Sequence, residues 1–177
     1  MKKMLIAAIA IVFATAFHTT QAQFNPYADE AKMLTAGIGI SGWGVPIFVR
    51  FEAPVADNIT VGGGLSYQSK GENYVGYKWR HTIFGLTGRG SYHFNELLEA
   101  NDDWDFYAGL GLGYYFWNTS YDDSGSSVNW SGTNYGGFSV GIHLGARYFV
   151  SEKVGLNLEV GGGTVLGGAT FGATFML

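Results

Sequence analysis

Three observations in the 177 residues predict an all-β chain, an eight-stranded antiparallel up-and-down transmembrane β-barrel. Apolar and polar residues alternate with period two in eight separate stretches, and no segment after Ala22 sustains a 3.6-residue apolar period. The apolar face of these stretches ends in aromatic residues on both sides. The opposite, polar face is rich in glycine rather than in Lys and Glu. A soluble barrel would turn its apolar face inward and coat the other with charge. The pattern here fits the inverse: an apolar band toward lipid, aromatic belts at the two interfaces and a narrow polar lumen.

The first element is a leader. Met1-Lys2-Lys3, the apolar run Met4 to Phe17 and the small residues Thr20 and Ala22 predict a secretory signal peptide over residues 1–22, cleaved after Ala22. The run is shorter than the roughly 20 residues a helix needs to span a bilayer. Residues 23–177 then form one barrel domain. Of 10 Lys and Arg, Lys2 and Lys3 leave with the leader, so 8 remain against 14 Asp and Glu, a net charge of −6. An acidic chain without a basic patch excludes nucleic acid as a partner. With no cysteine there is no disulfide, thiolate metal site or Cys nucleophile. All 28 glycines follow the leader, far above the usual ~7%. They show no Gly-X-Y period, and the chain is too apolar for disorder.

The strands are expected at Met33–Gly42, Val45–Ala53, Ile59–Ser69, Arg80–Phe94, Asp105–Asn118, Gly136–Val150, Val154–Gly162 and Gly168–Leu177. Taken in order, their outward positions hold Ile38 and Ile40; Ile47, Val49 and Phe51; Val61, Leu65 and Tyr67; Phe84, Leu86, Tyr92 and Phe94. Phe106 to Phe116 and Phe138 to Tyr148 continue the face at every second residue. Leu156, Leu158, Val160, Phe171, Ala173, Phe175 and Leu177 complete it. Phe51, Tyr92, Phe94, Phe106, Tyr148 and Phe175 form one belt, and Tyr67, Phe84, Tyr114, Phe116 and Phe138 the other. Inward positions hold Arg50, Glu52, Thr60, Ser66, Gln68, Thr87, Arg89, Ser91, His93, Ser139, His143, Arg147, Asn157, Glu159, Thr170 and Thr174. Gly109, Gly111, Gly113, Gly141 and Gly145 share that face.

The connections alternate in character. Pro54–Asn58 and Ser151–Lys153 are short, whereas Lys70–Trp79 and Thr119–Tyr135 are long and polar, as expected of periplasmic turns and external loops. Two stretches depart from that rule. The connection at Trp43-Gly44 is short for an external loop. Asn95–Trp104 is long for a periplasmic turn, with Glu96-Leu97-Leu98-Glu99 expected as a helical turn.

The run Phe106-Tyr107-Ala108-Gly109-Leu110-Gly111-Leu112-Gly113-Tyr114 and the ending Gly168 to Leu177, together with the leader, resemble the small outer-membrane β-barrel family of the OmpA/OmpX-like, porin-family type. The resemblance covers essentially the whole mature chain. It implies a bacterial outer-membrane location, with lipids and the barrel-assembly machinery as partners. Members close on an alternating strand with a terminal aromatic; here Leu177 is last, with Phe175 two before it. No separate peptidoglycan-binding domain is expected after the barrel, since the sequence ends with the eighth strand.

The candidate sites follow from the lumen and the loops. Arg50, Glu52, Arg89, His93, His143, Arg147 and Glu159 all fall inward, and enclosed charges must be paired or hydrated. The expectation is a structural salt-bridged plug, with Arg89 and Arg147 depending on Glu52 and Glu159; a proton or ion path is the competing reading. Ser91-x-His93 has the elements of a hydrolase pair, but both point inward and the near carboxylates Glu96 and Glu99 are turn residues, so no catalytic residue is assigned. Gly109-x-Gly111-x-Gly113 has no helix after it and is strand packing, not a dinucleotide loop. In the loop Thr119–Tyr135, Tyr121, Asp122, Asp123, Trp130 and Tyr135 form a candidate surface-recognition set for an extracellular ligand, the aromatics suited to sugars. Asn118-x-Ser120 and Asn129-x-Ser131 match glycosylation acceptors by coincidence. No cofactor and no metal site is expected. The function expected is a non-enzymatic structural or surface-interaction role, with a narrow channel or carrier for small solutes or apolar ligands as the alternative and a lipid-modifying enzyme third.

Overall fold

The computed structural model describes residues 32–74, 77–123, 134–164 and 167–177, with the backbone alone at 72–74, 77–79 and 121–123. The leader expected over residues 1–22 lies outside the described residues. Eight strands follow in order: β1 (Met33–Ser41), β2 (Ile47–Ala56), β3 (Ile59–Tyr74), β4 (Tyr77–His93), β5 (Trp104–Asp123), β6 (Tyr135–Ser151), β7 (Val154–Gly163) and β8 (Gly167–Met176). Each pairs antiparallel with the next. β8 returns to β1 in register from Met33↔Met176 to Ser41↔Gly168, so the sheet is a closed barrel. Closure satisfies every backbone group of a spanning strand without help from water, which hydrocarbon requires.

The alternation sorts the side chains as a lipid-facing barrel does. Leu110, Leu112 and Ile142 are 65%, 67% and 67% exposed, whereas Glu52, Arg147 and Glu159 are 1%, 1% and 6% exposed. Among the described residues no helix is long and apolar enough to cross a membrane, so the crossing falls to strands. From Tyr92 to Phe84 on β4 is 9 residues, and from Phe106 to Phe116 on β5 is 11. A tilted spanning strand needs about 9–11. At one end Trp104 stacks on Phe106 (5.4 Å) and meets Tyr148 (5.0 Å). At the other, Tyr114 meets Phe116 (4.8 Å) and Phe138 (4.9 Å) edge-on. These ring clusters are the two interfacial belts.

The structure corrects several expected boundaries. Lys70–Trp79 is not a long loop: β3 and β4 stay paired from Lys70↔His81 to Tyr74↔Tyr77. Thr119–Asp123 likewise continues β5 against β4. Polar sequence reads as loop here because, above the membrane, both faces of a strand meet water and the apolar alternation stops. β2 begins at Ile47 rather than Val45, because Pro46 has no N–H to donate to the ladder. The short first connection is a tight turn, closed by Ser41 N–H donating to Gly44 O (3.0 Å) and Gly44 N–H to Ser41 O (3.2 Å). Gly44 takes φ 117°, which favours glycine. At the opposite end, Glu96–Leu98 forms one 3₁₀ turn ended by Glu99 at φ 48°, and Asn95 ties it down by accepting from the Phe106 N–H (2.6 Å).

Candidate functional site

The lower lumen, at the end with the short connections, is filled. Met33, Phe149 and Met176 form a buried apolar floor. Above it Thr35 and Thr174, opposite one another on β1 and β8, share a hydrogen bond (2.8 Å). The next layers are ionic. Arg147 on β6 donates to Asp105 Oδ2 on β5 (2.8 Å) and makes a short contact with Glu52 on β2. Its guanidinium also lies over the Tyr107 ring, 4.2 Å from the centroid. Asp105 turns its other oxygen to His93 Nδ1 (2.7 Å), and His93 Nε2 meets Thr60 Oγ1 (2.9 Å). Carboxylate, imidazole and hydroxyl thus stand in a line like a hydrolase relay. The hydroxyl here is 2% exposed and the other two members are fully buried, so no substrate reaches them.

One turn higher, Glu159 on β7 gathers three donors. Arg89 Nη2 lies at 2.6 Å, Arg50 Nη1 at 3.0 Å, and the Tyr107 hydroxyl donates at 3.0 Å while accepting from Asn157 Nδ2 at 2.6 Å. Arg89 Nε reaches back to Glu52 at 3.5 Å and joins the two layers. Three arginines and three carboxylates therefore close one neutral network across five strands. Each charge faces an opposite one, which a site with scarce water demands.

The residues expected in the lumen network, Arg50, Glu52, Arg89, His93, His143, Arg147 and Glu159, all point into the barrel. Two details differ from the expected pairing. Asp105 is the second carboxylate of Arg147, and Glu159 is shared by Arg50 and Arg89. Asp105 and Tyr107 join the network without being expected there, although they sit four and two residues before Gly109, in the same inward phase. That shared phase is the signal that finds them. Asp105 opens its strand, where alternation is hardest to count, and Tyr107 sits among aromatics that face lipid.

The Ser91-x-His93 pair does not form. His93 turns to Asp105 and Thr60, and Ser91 instead meets His143 Nε2 across the sheet (2.9 Å). Gly145 opposes Tyr107 in the β5–β6 ladder, and a Cβ there would run into the Tyr107 ring. That glycine makes room for the central aromatic.

The upper lumen differs in kind. A cavity of about 200 Å³ lies above Glu159, Arg50 and Arg89, walled by Phe48, Gln68, Tyr115, Ser139 and a run of glycines. Of the recognition set, Tyr121, Asp122 and Asp123 are the last backbone positions of β5, and Trp130 lies outside the described residues. Tyr135 opens β6, exposed and stacked on Trp117 at 5.4 Å. Asn118 and Tyr135 border a crevice above the belt with Phe84 and Phe116. Among the described residues, no three His, Cys, Asp or Glu are grouped to hold a metal ion.

A closed eight-stranded barrel with an apolar exterior, two aromatic belts and an ion-paired lumen is an integral membrane barrel of the bacterial outer-membrane class. The sequence matches the outer membrane protein beta-barrel domain family over residues 4–174, and the chain belongs to that family; the bacterial outer membrane is its location. Solved structures share the fold. A major outer membrane protein from Thermus thermophilus aligns at 14% identity and TM-score 0.66, covering 83% of this chain and 99% of that one. Ail, the attachment invasion locus protein of Yersinia pestis, solved with the heparin analogue sucrose octasulfate, aligns at 14% identity and TM-score 0.59, covering 84% and 99%. The N-terminal β-barrel domain of Pseudomonas aeruginosa OprF gives 13% identity and TM-score 0.56, covering 84% and 98%. At such identities the likeness is one of fold. No curated protein matches the sequence.

Proposed function

We propose that this protein is a non-enzymatic, non-conducting outer-membrane anchor that presents a projecting β-sheet for interactions at the cell surface. The observation that carries the reading is the height of β3, β4 and β5. Beyond the belt residues Tyr67, Phe84 and Phe116, each strand continues for seven residues, to Tyr74, Tyr77 and Asp123. At about 3.3 Å per residue this raises a three-stranded sheet roughly 20 Å along the strand direction past the belt. β2 and β1 stop near the membrane surface, at Ile47 and Ser41. Among the described residues, Asn118 to Asp123 pair only with β4, and a sheet edge of this kind suits the addition of a partner strand. Asn118 and Ser120 on this stretch are polar, which suits contact with water-soluble partners.

The packed lower lumen supports the non-conducting part. The sealed Asp105–His93–Thr60 line and the buried Ser91 support the non-enzymatic part, since neither nucleophile candidate has a route to substrate. One experiment addresses the whole reading. Cells display either the native protein or a trimmed form in which Ser69 and Thr82 are joined by a two-residue turn, and adherence to epithelial monolayers is counted. Trimming should lower adherence several-fold while the barrel keeps its heat-modifiable electrophoretic mobility. Unchanged adherence, or steady single-channel conductance from the native protein in planar bilayers, would sink the proposal.

A further inference from the structure

The upper lumen is a ligand site: we infer that the cavity above Glu159 binds a small organic carboxylate in a dead-end pocket, through Arg50 and Arg89. This goes beyond the surface role proposed above and stands apart from the projecting sheet. Two guanidiniums, Arg50 and Arg89, line the cavity against one carboxylate, Glu159; the other three charges of the network, Glu52, Asp105 and Arg147, lie beneath and do not reach it. The surface seen by a ligand therefore carries one positive charge in excess. Arg50 is the accessible member, its side chain 14% exposed. Besides Glu159 it makes one long hydrogen bond, to Thr170 Oγ1 at 3.5 Å, and stacks on Phe48 at 4.1 Å. A guanidinium has five donors, so several remain for an acceptor above it. Planar donors in a fork match a carboxylate, and Arg89 on Glu159 already shows that attraction inside this barrel.

Gln68 supplies the independent observation. It is 3% exposed and lines the same cavity. Its Oε1 accepts from Ser41 Oγ at 2.9 Å, while its Nε2 has no hydrogen-bond partner among the described residues. A buried amide N–H left unmet is costly, and an acceptor arriving in the cavity removes that cost. The pocket thus offers charge at its floor and a neutral donor on its wall. That arrangement fits a carboxylate bearing a second polar oxygen. The wall at Gly111 is open: a Cβ added there meets nothing nearer than Gly88 O at 3.6 Å. The cavity is space the sequence leaves unfilled where a side chain fits. The ionic layers below close it toward the periplasm, so a ligand enters and leaves by the same end.

The test uses the protein purified from outer membranes in detergent, titrated calorimetrically with acetate, succinate and citrate in turn, with neutral succinamide and cationic 1,4-diaminobutane as controls. At least one carboxylate should bind saturably at one site, with succinamide and the diamine at least tenfold weaker. Gly111→Leu, which fills the cavity from the position opposite Arg89 and changes no charged residue, should abolish binding while the heat-modifiable mobility of the folded barrel is retained. Arg50→Gln should weaken binding at least tenfold, and Gln68→Leu should weaken it less. The inference is overturned if none of the three carboxylates saturates, if the diamine binds best, or if a folded Gly111→Leu protein binds as the native one does.

Discussion

The two halves of the lumen are built from the same alternating strands and the same kinds of residue, yet one is solid and the other holds a cavity. Below Glu159, inward residues are matched to their neighbours: Tyr107 fits over Gly145, Arg147 lies between Asp105 and Glu52, and Thr35 faces Thr174. Above it, Gly111 faces Gly141 on β6 and keeps open space before it, its β4 partner Arg89 turning to Glu159, while Gly113 already carries the Tyr115 ring. A glycine with a ring laid against it makes packing, whereas a glycine that no neighbouring side chain covers makes space. The total glycine content is blind to this distinction, and the register across the sheet decides it.

The largest effect expected from this contrast is at Arg147. Arg147→Met takes the guanidinium away from both Asp105 and Glu52, leaving Asp105 with His93 and Glu52 with the more distant Arg89. The folded barrel should lose about 3–5 kcal/mol, read by urea unfolding in lipid vesicles. Adding Glu52→Gln and Asp105→Asn should restore part of the loss, because the cost lies in the orphaned charges. A single Arg147→Met that unfolds like the native protein would mean that water reaches the lower lumen. The next effect is on the outer face. Leu112 is exposed midway between the belts, and Leu112→Arg should cost roughly 2–4 kcal/mol in the same assay. A cysteine at Leu112 that reacts readily with water-soluble reagents in intact membranes would contradict the lipid-facing assignment.

The smallest effects give the sharpest comparison. Gly145→Ala drives a methyl into the Tyr107 ring, which is held by Asn157 and Glu159 and has little freedom to retreat. Overpacking of this kind costs about 1–3 kcal/mol. Gly111→Ala, on the neighbouring strand but in the upper half, should stay within about 0.5 kcal/mol of the native protein, since its new methyl meets ordinary contacts only. Equal costs for the two alanines would erase the difference between packed and open lumen.

The lower lumen was largely legible in the sequence. The inward phase of Arg50, Glu52, Arg89, Arg147 and Glu159 follows from counting by twos, and a narrow barrel obliges such charges to meet. The partners were less legible. Glu159 sits on β7 and Arg89 on β4, three strands apart, and they touch only because long side chains cross the barrel interior (2.6 Å). The tall sheet of β3, β4 and β5 was hidden for a different reason. Lys70 to Trp79 and Thr119 to Asp123 are largely polar, and a strand flanked by water on both sides carries no apolar period to count.

By itself, the sequence determined the closed β-barrel class, the inside-out arrangement, the two aromatic belts and most of the membership of the lumen, because each follows from period-two alternation against a bilayer of set thickness. Only the tertiary structure decided which charges pair, that Asp105 and Tyr107 complete the network, that Ser91 turns to His143 rather than His93, and that the upper lumen stays hollow. Those outcomes depend on the stagger between neighbouring strands and on contacts made across the barrel. Both are long-range quantities, set when β8 closes on β1, and no local stretch of sequence contains them.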